Sequence, residues 1–215
     1  MKPTTQQFFD AFFSRHADLV PLRAGVLQTI ELLAGVYRSG GKLLLCGNGG
    51  SAADCDHIAG ELLKGFLLRR PVSAGFAGAM QASFGTQGAA VAAKLQQGLP
   101  AISLVAHGAA LSAFANDVDP TLVYAQQVLA YGKPGDVLLG ISTSGNAENV
   151  AAAVMCAKAQ GLTAIGLTGR SGGRLAELAD FALVSPQTET YRIQEDHLAL
   201  YHLICGAVEY ELFDE

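Results

Sequence analysis

His57 and Glu61 stand four residues apart, which places them on one face if the segment is helical. An imidazole and a carboxylate at that spacing suit Zn²⁺ or a similar ion. They also suit a plain hydrogen-bonded surface pair. Directly before them runs "GNGGS" (47–51), and "STSGN" (142–146) is a second turn of the same kind. A helix N-terminus offers unpaired N–H groups and partial positive charge, so a turn feeding a helix favours an anion. Ser51, Ser142, Thr143 and Ser144 add hydroxyl donors, and neither turn holds a Lys or Arg. A phosphate held there would be held by neutral groups. The alternative is simple helix capping, for which Ser and Asn are well suited. A third cluster, "ETYRIQEDHLALYH" (189–202), brings Arg192, Gln194, Glu195, His197 and His202 together. So many polar groups on an apolar helix are costly to bury unless paired. Spacing does not choose between the two histidines.

Nucleotide motifs fit less well. "GNGGSAA" is not GxGxxG followed by an acidic ribose ligand, since Lys64 and Arg69-Arg70 stand where that acid belongs. There is no GxxxxGK[ST].

The chemistry needs a scaffold. Residues 4–39 read as helical from apolar spacing of three and four, with Gly40-Gly41 as a stop. Five short apolar runs read as buried strands: 42–47, 100–106, 136–142, 162–169 and 180–186. Helical stretches at 51–66, 121–131, 147–160, 172–179 and 190–213 separate or follow them. This alternation predicts a doubly wound, mostly parallel α/β sheet, which binds ligands at the carboxyl ends of its strands. Residues 67–99 break the rhythm. They form either a surface excursion or a flap beside the site.

The 215 residues fit a single domain, 1–215, with an N-terminal helical segment at 1–40. A mean hydropathy of +0.30 hints at buried subunit surface. The net charge of −5 and the lack of a basic block argue against nucleic acid as partner. No uninterrupted apolar run suggests a membrane span, and the opening residues lack signal-peptide features. The four cysteines form no CxxC and no disulfide-like array. A reduced, cytoplasmic protein is expected.

The stretches "CGNGGSA", "HIAGEL", "AND", "GDVLLGISTSGN", "IGLTG", "LAELAD" and "ETYRIQE" occur in the order found in the phosphoheptose isomerases of the sugar-isomerase (SIS) fold. The chain resembles that family over most of residues 43–213. The resemblance implies a flavodoxin-like three-layer αβα fold with a five-stranded sheet and a homotetramer. It also implies an aldose–ketose isomerisation of sedoheptulose 7-phosphate through an enediol. It assigns Asn48, Gly49, Gly50 and Ser51 to the first substrate loop, and Asn116 and Asp117 to the sugar. Ser142, Thr143 and Ser144 fall to the phosphate, and Gln194 and Glu61 also touch substrate. His57, Glu61, Gln194 and His202 match the zinc positions, with Glu61 the base and His202 the acid.

Some positions depart from the family. Ala147 stands where a further phosphate hydroxyl is usual, and Gly65 beside Lys64 where an Arg is common. The 67–99 segment is also longer than usual. Two other readings remain at this stage: an isomerase for a different sugar phosphate, and a non-catalytic SIS protein that binds a replication initiator.

Overall fold

A computed structural model describes residues 1–214. Two N-terminal helices, α1 (Pro3–Arg15) and α2 (Arg23–Arg38), flank a 3₁₀ turn at Ala17–Leu22. Strand β1 (Leu43–Gly47) then feeds α3 (Gly50–Leu63). Helix α4 (Ala74–Ala92) fills the long connection to β2 (Ala101–Ser103). Next come α5 (Gly108–Asp117), α6 (Val123–Tyr131), β3 (Val137–Ser142), α7 (Glu148–Ala159), β4 (Thr163–Thr168), α8 (Gly173–Leu178) and β5 (Phe181–Val184). The last helix is α9 (Thr190–Phe213).

The strands form one sheet in the order β2-β1-β3-β4-β5, and every neighbouring pair is parallel. Strand side chains alternate between two faces, and both faces here are apolar. Leu43, Leu45, Val137, Leu139, Ile141, Ile165 and Leu167 pack against α1, α2, α3 and α9. Leu44, Cys46, Leu138 and Ala164 pack against α6, α7 and α8. This is why the strands read as unbroken apolar runs rather than as alternating ones.

Strand order reverses between β1 and β3. The turns 47–51 and 142–146 leave those two strands at their carboxyl ends, so both border the crevice where such sheets bind ligands.

Three features differ from the sequence reading. Helix α5 falls where no element was expected, and β2 covers only part of 100–106. Ala17–Arg38 is long and apolar enough, by length and composition, to cross a membrane. Its Val26, Ile30, Leu33 and Val36 are buried in the core. The apolar faces of α1, α2 and α9 therefore cover one another and the sheet within one chain. Helix α4 behaves differently. It buries only Gly88 and Ala92 and leaves Phe76, Phe84 and Val91 exposed.

The long connection closes on itself at its base. The Gln97 N–H donates to the Arg70 carbonyl at 2.8 Å, and Pro71 and Gln96 form an antiparallel bridge. Leu99 N–H donates to Leu62 carbonyl at 2.8 Å, which anchors this base at the C-terminal end of α3.

Candidate active site

The two turns do not cap their helices with side chains. The residue ahead of α3 is Gly49 and that ahead of α7 is Ala147, and neither helix has a side-chain cap. Ser144 Oγ accepts only from the Asn146 N–H beside it, at 3.2 Å. Some first-turn N–H groups are engaged, Ser51 and Ala52 with the Asn48 and Gly49 carbonyls at 3.1 Å and Val150 with Asn149 Oδ1 at 3.0 Å; two helix starts with hydroxyls nearby still suit an anion. Asn48 and Asn149 exchange amide hydrogen bonds of 2.8 and 3.0 Å and so tie one turn to the other. Tyr124 Oη donates to the Gly47 carbonyl at 2.6 Å from below. The second turn is braced by the start of α8, where Leu175 N–H donates to the Gly145 carbonyl at 2.8 Å. A Cβ at Gly145, whose φ is +70°, would lie 1.9 Å from the Gly172 carbonyl oxygen. Only glycine suits both the conformation and the space.

Helices α3 and α9 start at the same edge of the sheet and pack side by side. Their register brings the polar residues together in tiers. At the top, the Gln194 carboxamide lies over Gly50, where a Cβ would come within 2.2 Å of Nε2. One tier lower, Tyr201 Oη stands 2.9 Å from His57 Nδ1 and 3.3 Å from Asp54 Oδ1. His57 Nε2 lies 3.2 Å from Glu61 Oε1 and 3.4 Å from His202 Nε2. Lys64 Nζ holds the other carboxylate oxygen, Glu61 Oε2, at 3.1 Å. Burial first, and then the neighbouring His57, hold His202 below the usual histidine range, with Glu61 opposing them. His202 is therefore uncharged at neutral pH, the state in which it can lend a lone pair. Burial also raises the Tyr201 phenol, which keeps its proton.

At the foot, Arg70 reaches the end of α3. Its Nη1 donates to the Leu62 carbonyl at 2.7 Å and its Nη2 to the Glu61 carbonyl at 3.2 Å. These are carbonyls that a helix end leaves unpaired.

The sequence-named residues thus divide. His57, Glu61 and His202 meet within one chain. Gln194 does not join them here; it stands eight residues, about 12 Å along the axis, from His202. Asn116 Nδ2 donates to Asp117 Oδ1 at 2.8 Å near the end of α5. None of the side-chain hydrogen bonds of either residue reaches the α3–α9 cluster. Of the two histidines left open by spacing, His202 faces the site. His197 is fully buried, with Nε2 against the Thr168 carbonyl at 3.1 Å. The structure adds Tyr201, Asp54 and Asn149. Asp54, three residues before His57 on the same helix, had a legible signal; Tyr201 reads as an ordinary core aromatic.

The donor set is two imidazoles and a carboxylate, a borderline set that suits zinc. Among the described residues no three His, Cys, Asp or Glu side chains close around a common point as they stand. His57 is joined to Glu61 and to His202 separately. The residues fit such an ion in kind.

Comparison with known proteins places the chain in a family. The SIS domain matches residues 7–97 and 80–169, and the chain belongs to the SIS domain family. Phosphoheptose isomerase of Clostridium acetobutylicum is 40% identical over 190 residues, 88% of this chain and 84% of that one. Its counterpart in Crocosphaera subtropica is 43% identical over 186 residues, 86% and 82% of the two chains. The solved phosphoheptose isomerase of Neisseria gonorrhoeae superposes with a TM-score of 0.73 at 33% identity and covers 96% of each chain. That of Francisella tularensis gives 0.74 at 28% identity, over 94% of this chain and 95% of that one. Within the SIS family, then, the chain is one of the phosphoheptose isomerases, and it is an enzyme.

Proposed function

We propose that this enzyme interconverts sedoheptulose 7-phosphate and D-glycero-D-manno-heptose 7-phosphate. The observation that carries the reading is the meeting of His57 and Glu61, on the helix whose first turn borders the anion site, with His202 of α9. Ser51 and Glu61 are ten residues apart, about 15 Å along the helix axis. The Glu61 side chain leans back toward the helix start, which shortens that gap. An open seven-carbon chain from C1 to phosphorus has eight bonds, about 9 Å when extended. A phosphate at Ser51, Ser142, Thr143 and Ser144 therefore lets the carbonyl end approach Glu61.

In this reading Glu61 takes the proton from C1 of the ketose and returns it to C2 of the enediol. His202, uncharged at rest, carries the oxygen-bound proton from O1 to O2. Asn48, Gly49, Gly50 and Gln194 hold the phosphate end of the chain, and the helix starts supply its positive environment. His57, Glu61 and His202 would hold a zinc ion, and a fourth donor, the position the family resemblance gives to Gln194, would come from a neighbouring copy. When bound, the ion would polarise the carbonyl and stabilise the negative charge that develops on oxygen. Glu61 has an oxygen for each task, Oε1 on the His57 side and Oε2 on the Lys64 side. Lys64, the exposed partner of this pair, can be displaced from Oε2.

Asn116 and Asp117 lie apart from the cluster, and we assign their sugar contacts to a site completed by a neighbouring copy. A homotetramer is proposed on the family resemblance and on the exposed apolar side chains of α4. We read the chain as a single SIS domain, with 67–99 a segment beside the Glu61 end of α3. Four free cysteines agree with a cytoplasmic location.

The deciding experiment incubates purified protein with a panel of phosphorylated ketoses and aldoses and follows the products by NMR. Turnover of sedoheptulose 7-phosphate is expected. Turnover only of a shorter sugar phosphate would support a shifted substrate, for which Ala147 at the start of α7 provides a reason.

A further inference from the structure

We propose that Tyr201 and Asp54 form a relay that orients the His57 ring. The relay rests on the reading of His57 as a metal ligand and deepens it. The phenol has one proton and two neighbours, His57 Nδ1 at 2.9 Å and Asp54 Oδ1 at 3.3 Å. An ionised carboxylate only accepts hydrogen bonds, whereas an imidazole nitrogen can do either. Asp54 Oδ2 is buried and finds no partner among the described residues. Tyr201 is the side chain that donates to this carboxylate. Sending the phenol proton to His57 would leave the half-buried carboxylate without that donor, which is the expensive choice. The proton therefore goes to Asp54, and His57 donates its Nδ1–H to the phenol oxygen. Nε2 is then the nitrogen that faces Glu61 and His202.

The relay is held by packing as well as by hydrogen bonds. Tyr201 is 2% exposed and belongs to the core cluster that includes Ile58 and Leu62. Its ring meets His57 edge-on, with centroids 5.3 Å apart. Its burial holds the phenol beside His57, so the His57 ring has this partner before any ion arrives. Outer partners that fix the tautomer of a ligating histidine typically raise metal affinity by about 10–100-fold.

The test uses Tyr201→Phe, Asp54→Asn and Asp54→Ala, with zinc affinity measured by competition against a chelator. Tyr201→Phe keeps the packing and removes the acceptor. It should bind zinc about 10–100-fold more weakly, with metal-free thermal unfolding close to wild type. Asp54→Asn, which keeps an acceptor oxygen, should retain much of the affinity that Asp54→Ala loses. Nitrogen-15 NMR of His57 supplies a second readout. With zinc on Nε2, wild type should show a proton on Nδ1, and Tyr201→Phe should lose its protection from exchange. Wild-type zinc affinity in Tyr201→Phe, or a zinc-bound wild-type His57 with no Nδ1 proton, would overturn the relay. A wild type that binds no zinc would instead overturn the metal reading. The relay would fall with it, since Glu61 would then hold the His57 proton on Nε2.

Discussion

Arg70 and Glu209 form an ion pair, Nε to Oε1 at 2.7 Å, in which both side chains are fully buried. Glu209 also accepts the N–H groups of Phe66, Leu67 and Leu68 at 2.6–2.9 Å. Arg70 uses two further donors on the last carbonyls of α3. The pair thus joins α9, the chain leaving α3, and the helix end that carries Glu61. Removing one partner leaves the other as an uncompensated buried charge. Glu209→Ala should cost about 3–5 kcal/mol of stability, measured by denaturant unfolding. A loss within about 0.5 kcal/mol, the range of an ordinary surface change, would show that the pair is not needed.

Glu61→Gln keeps the shape of the side chain and removes the base. Turnover should fall by about 10²–10⁴-fold, while circular dichroism and the unfolding midpoint stay near wild type. Near-normal turnover would remove Glu61 from the mechanism.

Crystals grown with a sugar phosphate, or with sulfate, should show the anion between the starts of α3 and α7. Ser51→Ala, Ser142→Ala and Ser144→Ala should each weaken substrate binding by about 1–3 kcal/mol, because each hydroxyl donates to a charged group. An anion bound elsewhere, together with unchanged KM values in all three variants, would refute the assignment.

Burial lowers the pKa of His197 to about 4. The folded state keeps this ring neutral, while the unfolded chain binds a proton below about 6.5. Stability should then be undiminished above pH 6.5, fall as pH drops toward 4, and level off below. The full effect is about 3 kcal/mol. His197→Gln lacks the titrating group, so wild type should lose stability relative to this variant across that window. Parallel stability curves for the two proteins would contradict the assignment.

Static light scattering should give a mass four times that of one chain. The exposed aromatics of α4 offer a handle, and Phe84→Glu should shift the mass downward. A wild-type monomer at micromolar concentration would defeat the tetramer and the shared-site role given to Asn116 and Asp117.

Much of this protein was legible in its residues. Five apolar runs such as "LLLCG" mark parallel strands because a sheet covered on both faces needs apolar side chains at every position. The glycine–serine turns mark the proposed anion site because close backbone approach and helix starts need small residues. His57 and Glu61 share a face through local helical geometry alone. Helix α5 was missed because "GAALSAFAND" is short, small and weakly patterned, with nothing at its start to cap it.

Other features required the tertiary structure. Spacing offered His197 and His202 equally, and only the seating of α9 against α3 turns His202 toward His57 and His197 toward Thr168. The same register sets Gln194 over Gly50 and puts Tyr201 between Asp54 and His57. Residues about 145 positions apart meet there, and no local pattern encodes their pairing. It follows from how two long helices settle on one face of a twisted sheet, where packing of the apolar residues between them decides which polar ones face each other.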